Sequence, residues 1–282
     1  MQTLVPKLYL GSAVYRFVET CYLDAMLAFV VHLERSGIPY VNAITRGDAQ
    51  IDRSRNVIAS AFLRSDADVL LTVDSDIWFR PQDAVALCEK AVERDIIGAC
   101  YVTRGEPTQP AVMLPPGEVV MFMPGVSPVE VPFLSTGFMA VHRRVFEKLS
   151  ESVPRAHQNW RGPGGDDQSW WMFYTPFSIE WPGDVNLALS EDWAFCQRAR
   201  DAGFKVWLDP SIRVGHNGDR LLTLEEMLRP PRPAPGPLAL KRDLNGVVSA
   251  GQLQRHAVPA GLVLPNGKSI SDLAARQAVS GR

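Results

Sequence analysis

The sequence is short of cysteine, of net charge and of long apolar runs, and each shortage excludes a class of protein. Its four cysteines show no C-x-x-C spacing, so the usual zinc and thiol-redox motifs are absent. The apolar stretch over residues 25–31 is far shorter than the roughly 20 residues that cross a bilayer, so we expect no transmembrane anchor. The chain does not open with a basic segment and an apolar core of the secretory kind, and a cytoplasmic location is expected.

Charge and length set further limits. The 29 lysines and arginines nearly balance the 31 aspartates and glutamates, so composition does not indicate a nucleic-acid-binding surface or a basic membrane patch. With 282 residues, 46% of them hydrophobic, the chain can bury a substantial core and is near the upper size of one domain. We expect one domain over residues 1–228, a proline-rich linker over 229–240 and a weakly patterned tail over 241–282.

In the first hundred residues, segments with the apolar period of a strand alternate with segments that have the apolar period of a helix. Apolar residues predict strands over 4–10, 40–44, 69–73 and 96–102, and helices over 17–35, 52–63 and 83–92. The run at 69–73 is continuously apolar apart from one threonine, which is typical of a central parallel strand covered on both faces. The pattern predicts an α/β fold with a single Rossmann-like, mostly parallel sheet flanked by helices, and ligands received at the carboxyl ends of the strands.

The second half of the chain is less regular. A proline- and glycine-rich stretch covers 105–132, and a strand over 138–141 leads into a helix over 143–149. The segment 154–189 predicts a long irregular loop rich in tryptophan and glycine, either a mobile lid or acceptor platform or a disordered insertion. A helix over 190–202 and short strands over 206–208 and 212–214 follow.

Two D-x-D triplets flank the predicted central strand. Asp66 and Asp68 precede it, whereas Asp74 and Asp76 follow it and are therefore expected at the ligand-receiving edge. Carboxylates at that edge could hold Mg²⁺ or Mn²⁺, the hard cations that bind diphosphates. The alternative is a solvated turn in which Asp and Ser side chains satisfy backbone amides.

Two later sites could join the carboxylate pair. Glu191 and Asp192 open a predicted helix behind Ser190, where acids also occur simply because they complement the helix dipole. His216 lies between Gly215 and Gly218 after the last predicted strand, and an imidazole is a suitable third ligand for a divalent ion. A single histidine is, however, more often an ordinary surface or core residue.

The order and spacing of these motifs resemble the GT-A glycosyltransferases related to family 2. The likeness extends over about residues 4–218. It rests on these segments: Arg55-Asn56, Asp74-Ser75-Asp76, Gly137-Phe138-Met139, Ser190-Glu191-Asp192, Gly203-Phe204-Lys205-Val206-Trp207 and Gly215-His216.

The resemblance implies a donor site that depends on Mn²⁺ or Mg²⁺. Asp76 would contact the metal, Asp74 would bind the ribose or the metal, and His216 would complete the metal site. The donor would be a nucleotide-diphosphate sugar, with a UDP-sugar expected. The other matched residues would lie beside the nucleotide: Arg55, Asn56 and Gly137.

The resemblance also implies an acceptor side. Asp192 would act as general base in inverting members, whereas in retaining members it would orient or stabilise the sugar. Glu191 would be its neighbour and an acceptor-binding group. The acceptor could be a glycan, a lipid-linked sugar, a small molecule or a modified nucleobase. Because the Q-x-x-R-W motif of processive synthases is missing, we expect a single transfer per acceptor.

Two other functions use similar residues. Haloacid-dehalogenase-like phosphatases also carry D-x-D after a strand, with the first Asp as nucleophile, but on an early strand and with a separate lysine. A non-catalytic nucleotide-sugar-binding module would keep the metal site without needing a base. One departure from family 2 concerns the first loop, Gly11-Ser12-Ala13, which lacks the Asn-Glu pair often found there, so the nucleotide base is left open.

Overall fold

The computed structural model describes residues 5–103, 109–157, 169–182, 185–217, 238–243 and 248–252. The predicted alternation of strands and helices in the first part is confirmed. The first strand is displaced: it begins and ends four residues later than the apolar pattern indicated. The elements are β1 (Leu8–Val14), α1 (Thr20–Ser36), β2 (Tyr40–Arg46), α2 (Ile51–Arg64), β3 (Val69–Val73), β4 (Ile77–Trp78), α3 (Pro81–Arg94) and β5 (Ile96–Gly98).

The second part holds more strands than the sequence indicated. Residues 105–132 were expected to be irregular, but three of these strands lie among them. Residues 154–189 likewise contain two antiparallel strand pairs rather than one irregular loop. The elements are β6 (Val112–Met113), β7 (Val119–Phe122), β8 (Val129–Glu130), β9 (Phe133–Leu134), β10 (Phe138–His142), α4 (Arg143–Ser150), β11 (Arg155–His157), β12 (Ser169–Trp171), β13 (Phe177–Trp181), β14 (Val185–Leu189), α5 (Glu191–Asp201), β15 (Val206–Leu208), β16 (Gly215–His216), β17 (Leu238–Arg242) and β18 (Val248–Gln252).

One large sheet organises the molecule, with strand order β2-β1-β3-β10-β5-β15-β8. The pairs β1–β2, β1–β3 and β5–β15 are parallel. Strand β10 lies antiparallel between β3 and β5, and β8 is antiparallel to β15. The expected fold class, a mostly parallel α/β sheet flanked by helices, is confirmed.

Helices cover both faces of this sheet. Alternate residues of β3 point to opposite sides, so Leu71 packs with α1 and α3, whereas Leu70 packs with α2, α4 and α5. Phe29 and Phe146 are fully buried in the two respective layers. Burial of such a side chain contributes about 1.5–3 kcal/mol. The layer around Phe146 holds α2 and α5 against the same face of the sheet.

Local sequence signals explain several helix ends. Helix α1 ends at Gly37, whose φ of 65° is the left-handed conformation that favours glycine. Helix α3 begins with Pro81 in its first turn, as predicted. The guanidinium of Arg143 donates to the carbonyls of Phe62 at 3.1 Å and Leu63 at 3.0 Å and so caps the C-terminus of α2. This cap ties α2 to the start of α4.

Two expectations near the end of the domain differ from the structure. The strand expected over 212–214 is absent there, because Asp209 bonds the amide of Ser211 in a turn and pairing resumes only at β16. Residues 238–242, expected to end a linker and begin a tail, form β17 and pair with β7. The expected boundary at residue 228 lies outside the described residues. None of the described helices is both long and apolar enough to cross a bilayer.

Candidate active site

The two D-x-D triplets lie at opposite ends of β3. Asp74 and Asp76 follow the strand at its carboxyl end, and the amide of Asp74 donates to the carbonyl of Gly137 at 2.9 Å. Asp66, at the other end, is 79% exposed and pairs with Lys7. The structure therefore brings only the second triplet to the edge of the sheet where a ligand is received.

Arg55 lies at the centre of the candidate site. It projects from α2, is only 4% exposed, and its Nη2 donates to both carboxylate oxygens of Asp74 at 3.0 Å. Its Nη1 donates to Glu191 Oε1 at 2.6 Å and to Asp192 Oδ1. Burial alone would lower the pKa of Arg55, but these three carboxylates outweigh burial and hold it well above its usual range.

The two acids at the start of α5 are both drawn to this guanidinium. Burial, followed by repulsion from Asp192, raises the pKa of Glu191, and Arg55 opposes that shift. Ser190 occupies the N-cap position but its side chain makes no capping hydrogen bond. The acids therefore contact a specific cation and do more than complement the helix dipole.

Thr136, which the sequence reasoning did not identify, also contacts Asp192. Its side chain is fully buried, and its Oγ1 donates to Asp192 Oδ1. Its carbonyl accepts a hydrogen bond from Thr72 Oγ1 on β3 at 2.5 Å. The only available signal was the polar run Ser135-Thr136 immediately before an apolar strand at the edge that receives ligands.

The structure places His216 beside Asp76. Strand β16 is antiparallel to β4, with His216 opposite Ile77, and His216 Nε2 lies 3.6 Å from Asp76 Oδ2. His216 Nδ1 donates to the carbonyl of Val102 at 2.7 Å, because a carbonyl oxygen can only accept. This bond fixes the ring orientation, an arrangement common in metal-binding histidines.

The described side chains supply part of a site for a divalent ion. Among the described residues, no three His, Cys, Asp or Glu side chains are preassembled as a metal site. Asp76 and His216 have the right chemistry and face each other, so they fit two positions of such a site. Asp74 is instead held by Arg55 through both oxygens.

Two further matched residues, Asn56 and Gly137, have closely packed surroundings. Asn56 is buried, with its Oδ1 accepting from the amide of Tyr174 at 2.7 Å, so it anchors the chain before β13 and does not line the described site cavities. Gly137 is closely packed: a Cβ there would lie 2.7 Å from Asp74 Oδ2 and also against Tyr101. Gly137 therefore gives Asp74 the space that a side chain would occupy.

Two cavities meet at the D-x-D turn. One, of about 220 Å³, lies beside Tyr15, Asp48 and the Asp74–Asp76 turn. The other, of about 390 Å³, contains Asp192 and is lined by Asp74 and Asp76 as well. A larger cavity of about 580 Å³ opens between α4, α5 and β13 and includes none of these residues.

No protein-family model matches the chain, and no curated protein matches it significantly. Solved structures give weak likenesses. GalNAc-T7 with UDP, GalNAc and Mn²⁺ is 11% identical, with a TM-score of 0.39 over 77% of this chain and 44% of that one. A Drosophila β-1,4-galactosyltransferase 7 mutant with manganese, UDP-Gal and xylobiose is 16% identical, with a TM-score of 0.35 over 82% and 83% of the respective chains.

A third solved structure has a different reaction in its name. The inositol-1-phosphate CTP transferase of T. maritima is 10% identical, with a TM-score of 0.38 over 80% of this chain and 95% of that one. Of the GalNAc-T7 structure, the present chain spans less than half of the length. With TM-scores below 0.5, these likenesses carry no conclusion about the activity of this chain.

Proposed function

We propose that this chain is a metal-dependent glycosyltransferase of the GT-A type, which moves a sugar from a nucleotide-diphosphate donor to an acceptor hydroxyl in a single transfer. One observation carries the proposal: two cavities share the Asp74–Asp76 turn, and Asp192 lies in one of them. A nucleotide sugar has the matching shape, with a nucleoside at one end, a sugar at the other and a diphosphate between them.

In this proposal the donor spans the shared Asp74–Asp76 turn. The nucleoside occupies the smaller cavity beside Tyr15 and Asp48, and a UDP-sugar is the expected donor. Asp76 and His216 would hold Mn²⁺ or Mg²⁺, and such an ion supplies positive charge that stabilises the departing diphosphate. Asp74, bonded to Arg55, forms the wall between the nucleoside and the sugar.

In this proposal the acceptor binds beside the acids of α5. Asp192 accepts the proton of the acceptor hydroxyl as that oxygen attacks the anomeric carbon. Glu191 lies beside it, lines the same cavity and binds the acceptor. The glycosidic bond to the diphosphate breaks, and its electron pair leaves with the diphosphate.

Two competing functions are less well supported. A phosphatase would need Asp74 as nucleophile, but both of its oxygens accept hydrogen bonds from Arg55, and the described lining of the two cavities contains no lysine. A non-catalytic nucleotide-sugar-binding module would have no use for a buried contact between Asp192, Arg55 and Thr136.

A stabilisation screen tests the donor. The melting temperature is measured with UDP-glucose, UDP-galactose, UDP-N-acetylglucosamine, GDP-mannose and CDP, each with and without Mn²⁺, because a ligand that binds only the folded state raises it. We expect one nucleotide sugar to stabilise the protein only with Mn²⁺, and to be hydrolysed slowly. Stabilisation by none of them, or equal stabilisation without metal, would contradict the proposal.

The substitution Asp192→Asn tests the base. We expect turnover to fall by about 10²–10⁴-fold, the usual contribution of a general base, while Mn²⁺-dependent donor binding persists. Asp201→Asn is the matched control, because Asp201 lies at the other end of α5 and away from the site. Surviving turnover in Asp192→Asn would show that the base is wrongly assigned.

The substitution His216→Ala tests the metal site. We expect weaker Mn²⁺ affinity, measured by titration of the donor-induced thermal shift, because the ion loses one of two facing ligands. His32→Ala on α1 is the control, since His32 lies outside both cavities. An unchanged Mn²⁺ affinity would remove His216 from the site.

A further inference from the structure

The two side-chain hydrogen bonds that Asp192 accepts within the described part of the chain end on the same oxygen. Oδ1 accepts from Arg55 Nη1 and from Thr136 Oγ1. Among the described residues, Oδ2 receives no hydrogen bond, and the side chain lines the 390 Å³ cavity. The two oxygens of one carboxylate therefore have different surroundings.

Thr136 is well suited to hold Oδ1 in place. It is fully buried, its carbonyl is bonded by Thr72 on β3, and the chain continues at once into β10. A threonine is stiff about its Cα–Cβ bond, and its hydroxyl has a single hydrogen to donate. That hydrogen is committed to Asp192, so the contact fixes the rotation of the carboxylate.

We propose that Thr136 is a positioning residue for the reaction: with Arg55, it holds Oδ1 of Asp192 and so reserves Oδ2 for the proton of the acceptor hydroxyl. In the step, the acceptor O–H bond breaks and its proton goes to Oδ2. The acceptor oxygen bonds to the anomeric carbon, and the diphosphate leaves with the electron pair of the broken bond. This inference rests on the proposed role of Asp192 as base.

Several charged and titratable groups surround Asp192. A substitution at position 136 leaves all of them in place, so native enzyme and variant can be compared across pH. Arg55 is the one cation that bonds it directly among the described residues, and Asp74 lies on the far side of that guanidinium. Removing a hydrogen bond to the ionised form of a carboxylate raises its pKa. The remaining groups facing Asp192 are Glu191 and Cys196 on α5, Tyr101 after β5 and Tyr174 before β13.

The test compares Thr136→Val, which keeps the shape and loses the hydroxyl, with Thr136→Ser, which keeps the hydroxyl. The assay is release of UDP from the UDP-sugar that most stabilises the protein with Mn²⁺, with water as acceptor. We expect the valine variant to lower kcat about 10- to 100-fold, the range implied by losing a hydrogen bond to a charged group. Its acidic kcat–pH limb should move to higher pH, with donor KM unchanged and the serine variant near the native enzyme.

Thr45→Val is the matched control. The Thr45 hydroxyl is buried, and no hydrogen-bond partner for it is found among the described residues, so the same chemical change removes no such bond there. We expect native kcat and a native pH profile. If the valine variant at position 136 does not fold, Thr136→Ala against Thr136→Ser makes the same comparison.

The outcomes separate the two proposals. If Asp192→Asn is inactive while Thr136→Val keeps a native kcat and acidic limb, the positioning role is overturned and the proposed function stands. A serine variant as impaired as the valine variant also overturns it, because the methyl group rather than the hydroxyl would then matter. If Asp192→Asn retains turnover, the base assignment fails, and the role of Thr136 fails with it.

Discussion

Replacement of Arg55 by methionine removes the cation that three carboxylates share. Asp74, Glu191 and Asp192 are 28%, 19% and 13% exposed, whereas Arg55 is 4% exposed. Breaking a buried ion pair by removing one partner costs about 3–5 kcal/mol, and the partial exposure of the carboxylates favours the lower end. We expect Arg55→Met to lose about 3 kcal/mol of unfolding free energy at neutral pH.

The loss should depend on pH, and its sign follows from Glu191. Burial and Asp192 already raise the pKa of Glu191, and Arg55 is the cation that opposes them. Without Arg55 the folded-state pKa rises further above the unfolded value. A group with a raised folded pKa contributes stability below its unfolded pKa that is lost as pH rises through the folded pKa. The deficit should therefore be smallest near pH 4 and grow toward pH 7.

Urea unfolding followed by tryptophan fluorescence at several pH values measures this deficit. Arg53→Met is the control: Arg53 lies two residues away, is 40% exposed and forms its ion pair in the described part of the chain with Asp48, so we expect a loss of about 0–1 kcal/mol. Two results would refute the reasoning. One is an Arg55→Met deficit no larger than that of the control, and the other is a deficit that grows as the solution is acidified.

Two further substitutions test the close packing at Gly137 and the buried ion pair of Asp209. Gly137→Ala would place a methyl group 2.7 Å from Asp74 Oδ2, and we expect a loss of about 1–3 kcal/mol in urea unfolding together with a loss of activity; Gly215→Ala, where the nearest contact is an ordinary 3.5 Å, should cost less. Asp209→Asn should cost about 1.5–3 kcal/mol by thermal unfolding, because the fully buried carboxylate bonds Lys90. A native melting temperature would contradict the latter.

The sequence predicted best those elements whose pattern is local. The run Val69–Val73 was placed to the residue, and Pro81 and Gly37 marked helix ends, because apolar period and backbone preference act within one element. Strands such as Val112–Met113 and Phe133–Leu134 were missed, because two residues are too few to show alternation. Their existence depends on partners distant in sequence.

In the candidate site, too, features with a local sequence signal were predicted, whereas features that depend on distant contacts were not. Asp74 and Asp76 were expected at the carboxyl edge because they directly follow the strand Val69–Val73. Arg55 was expected beside the nucleotide from the resemblance, and its ion pairs with three carboxylates were not predicted. Thr136 was missed because its contact with Asp192 spans 56 residues and depends on β10 inserting antiparallel between β3 and β5. An alternating β–α pattern does not encode that insertion.

Strand β10 is therefore what joins the two halves of the site. It brings Gly137 beside Asp74 and Thr136 beside Asp192, and α5 packs on the same face of the sheet as α2, where Arg55 meets Asp192. Arg55 bonds Asp74 on one side and Glu191 and Asp192 on the other, whereas among the described residues the hydroxyl of Thr136 donates its hydrogen bond to Asp192. Arg55→Met should consequently disturb donor binding, turnover and stability together, while Thr136→Val should change turnover and its pH dependence without changing donor binding. The two variants therefore distinguish the role of the Arg55 charge, which binds three carboxylates, from the role of the Thr136 hydrogen bond, which orients the carboxylate of Asp192.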